Sequence, residues 1–150
     1  MDDVVERLYP AWWLWIVTVV LGASCGVVVA RFDGTAAVVT FVVATVVLAG
    51  LLLASTPTVG VRDGEFVAGR ARIPVGLLGD VEVLDAPALR HAVGPGLDAR
   101  SYLCLRGWVG TGLRLAITDP QDPTPSWIVS SRDPGRLARA VEARRDRRVA

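Results

Sequence analysis

The chain has no lysine, one histidine and two cysteines among its 150 residues, and each shortage removes a class of chemistry. Without lysine, the glycine-rich stretch 107–112 cannot serve as a phosphate-binding loop. The single histidine, His91, rules out a multi-histidine metal site within one chain; beside Arg90 on a short helical stretch it reads as a surface residue. Cys25 and Cys104 are too few and too far apart for a disulfide framework, and free thiols suit a reducing cytoplasm. Arginine carries nearly all the positive charge. Its exclusive use, beside abundant alanine, valine and glycine, points to codons of high GC content rather than to function.

Charge is also missing from two long stretches, residues 11–30 and 35–54, separated only by Arg31-Phe32-Asp33-Gly34. Each is about as long as a helix needs to cross the hydrocarbon core. The connector is too short for a domain, so the expected arrangement is a transmembrane helical hairpin over residues 11–54. No ionisable group lies within either stretch, which counts against a proton relay, channel or transporter. Residues 1–10 read as a flank carrying Asp2, Asp3 and Glu6 against Arg7, the opposite of a basic secretory leader. A lipoprotein signal fits no better, because Gly22 stands three before Cys25 where a leucine-like residue belongs. The connector carries Arg31, whereas Arg7 with the free amine precedes the first stretch and Arg62, Arg70 and Arg72 follow the second; this balance favours both termini in the cytoplasm, in a multi-pass protein of the plasma membrane.

Within the hairpin, Tyr9, Trp12, Trp13 and Trp15 cluster where the first helix enters the bilayer, as interfacial anchors do. Gly22 and Gly26, four apart, share one helix face. Folding back at the connector sets them beside Thr40 and Ala44, which seals the hairpin internally; a homodimer seam is the competing use of that face.

Residues 57–150 read as a β-rich domain ending in a helix over 133–147. Asp63-Gly64 between two strand-like runs predicts a tight hairpin pairing Val61 with Phe66, Val59 with Ala68 and Arg62 with Glu65. Further strands are expected over 70–75, 80–84, 101–106, 112–118 and 126–131. Asp85 and Asp133 stand where helix N-caps belong, each with a proline just inside. Leu89, Ala92 and Val93, then Leu137, Ala140 and Val141, give the buried faces of the two helices. Asp119 and Asp122, each before proline, read as turn formers rather than paired acids. The expected class is α+β: a two-helix hairpin, then a small antiparallel β-barrel or sandwich of six or seven strands with a C-terminal amphipathic helix.

Several motifs together resemble a known family: Trp12-Trp13-Leu14-Trp15, Val61-Arg62-Asp63-Gly64-Glu65, Gly69-Arg70-Ala71-Arg72-Ile73-Pro74, Asp119-Pro120 before Asp122-Pro123-Thr124-Pro125, and Trp127-Ile128-Val129-Ser130-Ser131-Arg132. They look like the actinobacterial membrane proteins called DUF3093, a domain of unknown function. That resemblance spans nearly the whole chain and implies the architecture but no activity. A looser likeness, to bacterial pleckstrin-homology-like domains, rests on the Asp-Gly hairpin, the Arg-x-Arg-Ile-Pro run and the strand-then-helix ending; relative to it, residues 85–100 are an insertion.

No catalytic, metal or cofactor constellation is read from these residues. Cys104 reads as a packed small hydrophobe, and Ser130 and Ser131 lack the glycines of a nucleophile elbow. Arg136, Arg139, Arg144, Arg145, Arg147 and Arg148 form a basic run with two uses: complementing the helix dipole, or touching lipid or a partner. The run lacks interleaved aromatics, so nucleic acid is not an expected partner. The expected partners are the bilayer, a membrane or cytoplasmic protein, anionic lipid and a second copy. The expected role is a non-enzymatic interaction or scaffold module, with anionic-lipid sensing as the alternative.

Overall fold

The structure, a computed structural model, describes residues 4–149, with side chains described through residue 145. It divides into two compact units: residues 9–56, and residues 4–8 together with residues 57 onward.

The first unit is helices α1 (Trp12–Val29) and α2 (Gly34–Ala54). At about 1.5 Å per residue they reach roughly 27 and 32 Å. Asp33 starts α2 by accepting hydrogen bonds from the Thr35 and Ala36 amides at 2.6 and 3.0 Å, satisfying two otherwise orphaned donors. In α1 only Thr18, Gly22 and Gly26 are buried, four residues apart on one face. The space a side chain at Gly22 would need is taken by the Thr45 hydroxyl. At Gly26 it is taken by the Ala37 carbonyl and Phe41 Cβ. The glycines therefore close the hairpin from within, but against Ala37, Phe41 and Thr45. Thr40 and Ala44, the expected partners, flank this seam half-buried. The cause is helix phase: Asp33 fixes where α2 begins, and one residue of shift turns a helix by about 100°.

Among the described residues, the second unit contains eight strands in two sheets. Sheet 1 runs in order β1 (Val4–Arg7), β2 (Thr58–Arg62), β3 (Glu65–Ala68), β4 (Ala71–Pro74), all antiparallel. The hairpin at Asp63-Gly64 has the expected register, Val61 opposite Phe66 and Val59 opposite Ala68. Its two turn residues have φ of 52° and 80°, the left-handed geometry a two-residue hairpin needs. Arg62 stands opposite Glu65, but its guanidinium pairs with Asp63 at 3.4 Å instead. At the exposed turn the neighbouring carboxylate is nearer than the cross-strand one.

Strand β1 corrects the reading of residues 1–10 as a flank. Val4–Arg7 pairs with β2 from Val4 opposite Val61 to Arg7 opposite Thr58, and Leu8 is completely buried. The chain thus leaves a sheet, makes the helical hairpin, and returns as the neighbouring strand, with the Leu8 amide bonded to the Pro57 carbonyl at 3.2 Å.

Sheet 2 runs in order β5 (Leu78–Leu84), β7 (Gly112–Ile117), β8 (Ser126–Ser130), β6 (Tyr102–Cys104). The β6–β8 pair is parallel, the one departure from the antiparallel expectation. The expected strand over 101–106 shortens to three residues, and that over 80–84 extends back to Leu78 after a single 3-10 turn at Val75–Leu77. Helix α3 (Ala86–Val93) is capped by Asp85, which accepts from the Ala88 amide at 2.9 Å. It covers the outer face of sheet 2, where Leu84, Leu89, Ala92 and Ile128 form a small cluster. This is why β8 is buried on both faces.

The main core is shared by both sheets and by α4 (Pro134–Val149). Phe66 from sheet 1 and Trp127 from sheet 2 meet edge to face at 6.4 Å, and Tyr102 packs on Trp127 at 4.8 Å with the rings tilted by 49°. Asp133 caps α4 through the Arg136 amide at 2.9 Å. Leu137, Ala138 and Val141 are buried, while Ala140 sits at the margin, so the apolar stripe is centred between Leu137 and Ala138. The observed class is α+β, with sheets that are mostly antiparallel.

The burial of Leu8 gives a test of β1. Leu8→Ala should cost about 2–5 kcal/mol, as large-to-small core substitutions do, whereas Val5→Ala on the same segment, 46 % exposed, should change stability by less than about 0.5 kcal/mol. Denaturant unfolding of the detergent-solubilised protein, followed by Trp127 fluorescence, checks both; equal midpoints would remove β1 from the core.

Candidate interaction surface

Strand β1 is held at a second place besides its ladder. The Glu6 carboxylate accepts from the Ser131 hydroxyl at 2.7 Å and from the Arg132 amide at 2.9 Å. Ser131 in turn exchanges bonds with Thr111: its amide reaches the Thr111 carbonyl at 3.0 Å and its carbonyl accepts from the Thr111 hydroxyl at 2.6 Å. Ser131 is completely buried. These contacts tie the first strand to the residues just before α4, across 125 positions of sequence. A cleft of about 170 Å³ lies beside this clamp, lined by Val4, Val5, Glu6, Asp133, Arg136 and Leu137.

A larger groove, about 420 Å³, lies along sheet 1. Val5, Val67, Thr58 and Gly69 line it with Arg62, Arg72, Asp63 and Glu65. At Gly60 a side chain would collide with the backbone of Val4 and Val5, so glycine lets β1 lie close to β2. The volume falls within the range of small-molecule sites, but its rim is charged and mixed in sign, as the rim of a transient protein interface is.

Several residues that could carry reactive chemistry are engaged in the fold. Asp119 and Asp122 accept from the Gln121 and Thr124 amides at 2.9 and 2.8 Å, the turn-forming use of Asp before Pro. Hydrogen bonds from the Thr124 side chain and main chain hold Asp122 below the usual carboxylate range. The side-chain bond from Arg100, with the Arg100 amide and charge, does the same for Asp98. The Ser130 hydroxyl accepts from the Arg106 amide at 3.0 Å. Burial pushes the Cys104 thiol up despite nearby Arg106, and burial likewise raises Tyr102, whose hydroxyl donates to the Ala68 carbonyl at 3.0 Å. His91 is exposed on α3.

The sequence-derived sites fall in different places. Tyr9, Trp12, Trp13 and Trp15 are 50, 75, 48 and 39 % exposed, a cluster of large rings at the start of α1. The C-terminal arginines divide. Arg145 donates to the Gly79 carbonyl at 2.6 Å, beside the register shift between Leu78 and Val81, so it fastens α4 to the irregular edge of β5. Arg136 and Arg139 are exposed and Arg144 is half-buried. The side chains of Arg147 and Arg148 lie outside the described residues. Sequence reading missed Glu6 and Ser131 as partners; the alternation of Val4, Glu6 and Leu8 was the available signal, hidden beside the acidic start and the apolar run.

A family model described as a protein of unknown function (DUF3093) matches residues 4–141. No curated protein and no solved structure matches the chain.

The environment of Cys104 fixes a pH response. An ordinary cysteine thiol ionises near pH 9.0; in the fold ionisation needs higher pH. Stability tied to the neutral thiol is therefore complete below the unfolded value and is lost as pH rises through the folded one. At pH 9, iodoacetamide should label Cys104 far more slowly in the native protein than in denaturant, read by mass spectrometry. Equal rates would contradict the burial.

Proposed function

We propose, for a chain that belongs to the DUF3093 family of proteins of unknown function, that its helical hairpin anchors the β domain in a membrane and that this domain works as an interaction module. Both helices are long and apolar enough to cross a membrane by length and composition. Within the structure none of the α2 window and 17 % of the α1 window is buried, unlike the core helices of a soluble protein. Cleavage after α1, as in a signal sequence, would remove β1 with its Glu6 clamp and the buried Leu8.

The observation that carries the anchor's geometry is the pairing of β1 with β2. Because Leu8 and Pro57 are hydrogen-bonded neighbours, the two ends of the hairpin lie on one side of the bilayer. Arginines near the helix ends favour the cytoplasmic side of the plasma membrane for both termini, and the exposed ring cluster at Trp12, Trp13, Trp15 and Tyr9 suits an interfacial belt. On the β domain, the mixed-charge groove over β1–β4 is the surface offered to a protein partner, while several reactive side chains are engaged in turns, caps and core. The alternative reading, anionic-lipid sensing by α4, rests on Arg136 and Arg139, since Arg145 is fastened to Gly79.

Extraction, accessibility and co-purification test this. The full chain should resist alkaline carbonate extraction, and a C-terminal tag should survive protease added to intact cells while Phe32→Cys is labelled from outside; digestion of the tag would invert the topology. Val67→Arg, in the groove, should abolish co-purification of a stoichiometric partner without changing membrane retention. Recovery of wild type alone under crosslinking would refute the interaction module.

A further inference from the structure

We infer that the end of sheet 1 from which the chain leaves for the helices is a contact rim for anionic phospholipid headgroups, formed by Arg7, Arg70 and Arg72. This rests on the helices being membrane spans. Arg7 closes β1 opposite Thr58, Arg70 lies in the turn between Ala68 and Ala71, and Arg72 stands one step further in, opposite Val67 at mid-sheet, where it also borders the groove. The Gly69 amide bonds the Thr58 carbonyl at 2.8 Å, so this turn is fixed beside the strand on which the chain returns. All three guanidinium groups are exposed and, among the described residues, none has a carboxylate partner.

The carboxylates of this sheet are sorted by end, while arginines stand at both, Arg62 being paired with Asp63 at the turn. Asp63 and Glu65 lie at the far end, across β2, whose five residues span about 13 Å. Glu6 faces Ser131 and Arg132, where its carboxylate is occupied. What remains at the exit end is cationic.

Chain length then limits where that end can be. Arg7 precedes the first residue of α1, Trp12, by five positions, and Thr58 follows the last residue of α2, Ala54, by four. Even fully extended, these connections reach about 18 and 14 Å. Adjacent strands add about 4.8 Å each. The headgroup layer is roughly 5–7 Å deep beyond the hydrocarbon, and cationic side chains next to an anionic leaflet are attracted by its surface potential. The first and second strands are therefore held by short connections of about 14–18 Å at most to the helix ends, which keeps the arginines at this end of the sheet near the spans along the chain.

The test uses the full chain in bilayers with tail-brominated phospholipid, either neutral phosphatidylcholine or anionic phosphatidylglycerol, quenching Trp12, Trp13 and Trp15. Wild type should prefer the anionic lipid. The variant R7Q/R70Q/R72Q should lose that preference, roughly fivefold for each arginine seated at a headgroup; R7K/R70K/R72K should keep it, and R136Q/R139Q should leave it unchanged. Intact quenching by neutral lipid with an unchanged preference in the glutamine variant would overturn the rim alone. Absence of quenching of wild type by neutral brominated lipid would overturn the membrane spans and the rim with them.

Discussion

The ladder between Val4–Arg7 and Thr58–Val61 is the interaction on which the rest of this molecule depends. It joins two pieces of chain separated by the whole helical hairpin, so the hairpin is inserted between two neighbouring strands of one sheet. The ladder alone is short for so long a closure. Leu8, wholly buried, adds apolar burial, and Glu6 adds two hydrogen bonds to the segment before α4. The entropy of closing a long loop grows only slowly with its length, and helices that already pack on each other reduce it further. A four-residue strand can therefore hold such a closure.

The same ladder links the two units without requiring any particular arrangement between them. Whatever the hairpin does, its two ends stay one strand spacing apart. The end of sheet 1 at Arg7 and Thr58 is the part of the β domain closest to the helices along the chain. The opposite end of the sheet carries Arg62, Asp63 and Glu65 around the Asp-Gly turn.

Local chemistry was legible wherever one residue type has one dominant use. Asp63-Gly64 dictated a turn and its register; Asp85 made a cap, and Asp133 with Pro134 began α4 as expected. Pairings that depend on remote partners were not legible. Val4–Arg7 is too short to declare itself a strand, and nothing in its neighbourhood names Thr58–Val61 or Ser131 as its partner. Thr40 and Ala44 were offset because the rotational phase of α2 follows from its capping residue, not from counting back across the connector. The arginines of α4 looked alike in sequence, yet Arg145 satisfies a carbonyl left open by the irregularity in β5, a need created by another strand.

The sequence by itself determined the helical hairpin, the α+β class, the Asp-Gly register and the absence of lysine-dependent or multi-histidine chemistry, because these follow from residue type and short-range spacing. Only the tertiary structure decided that the first strand precedes the helices, that β6 lies parallel to β8, and which arginines stand exposed. Each of those depends on which distant backbone donors and acceptors are left unpaired once the nearer ones have been satisfied.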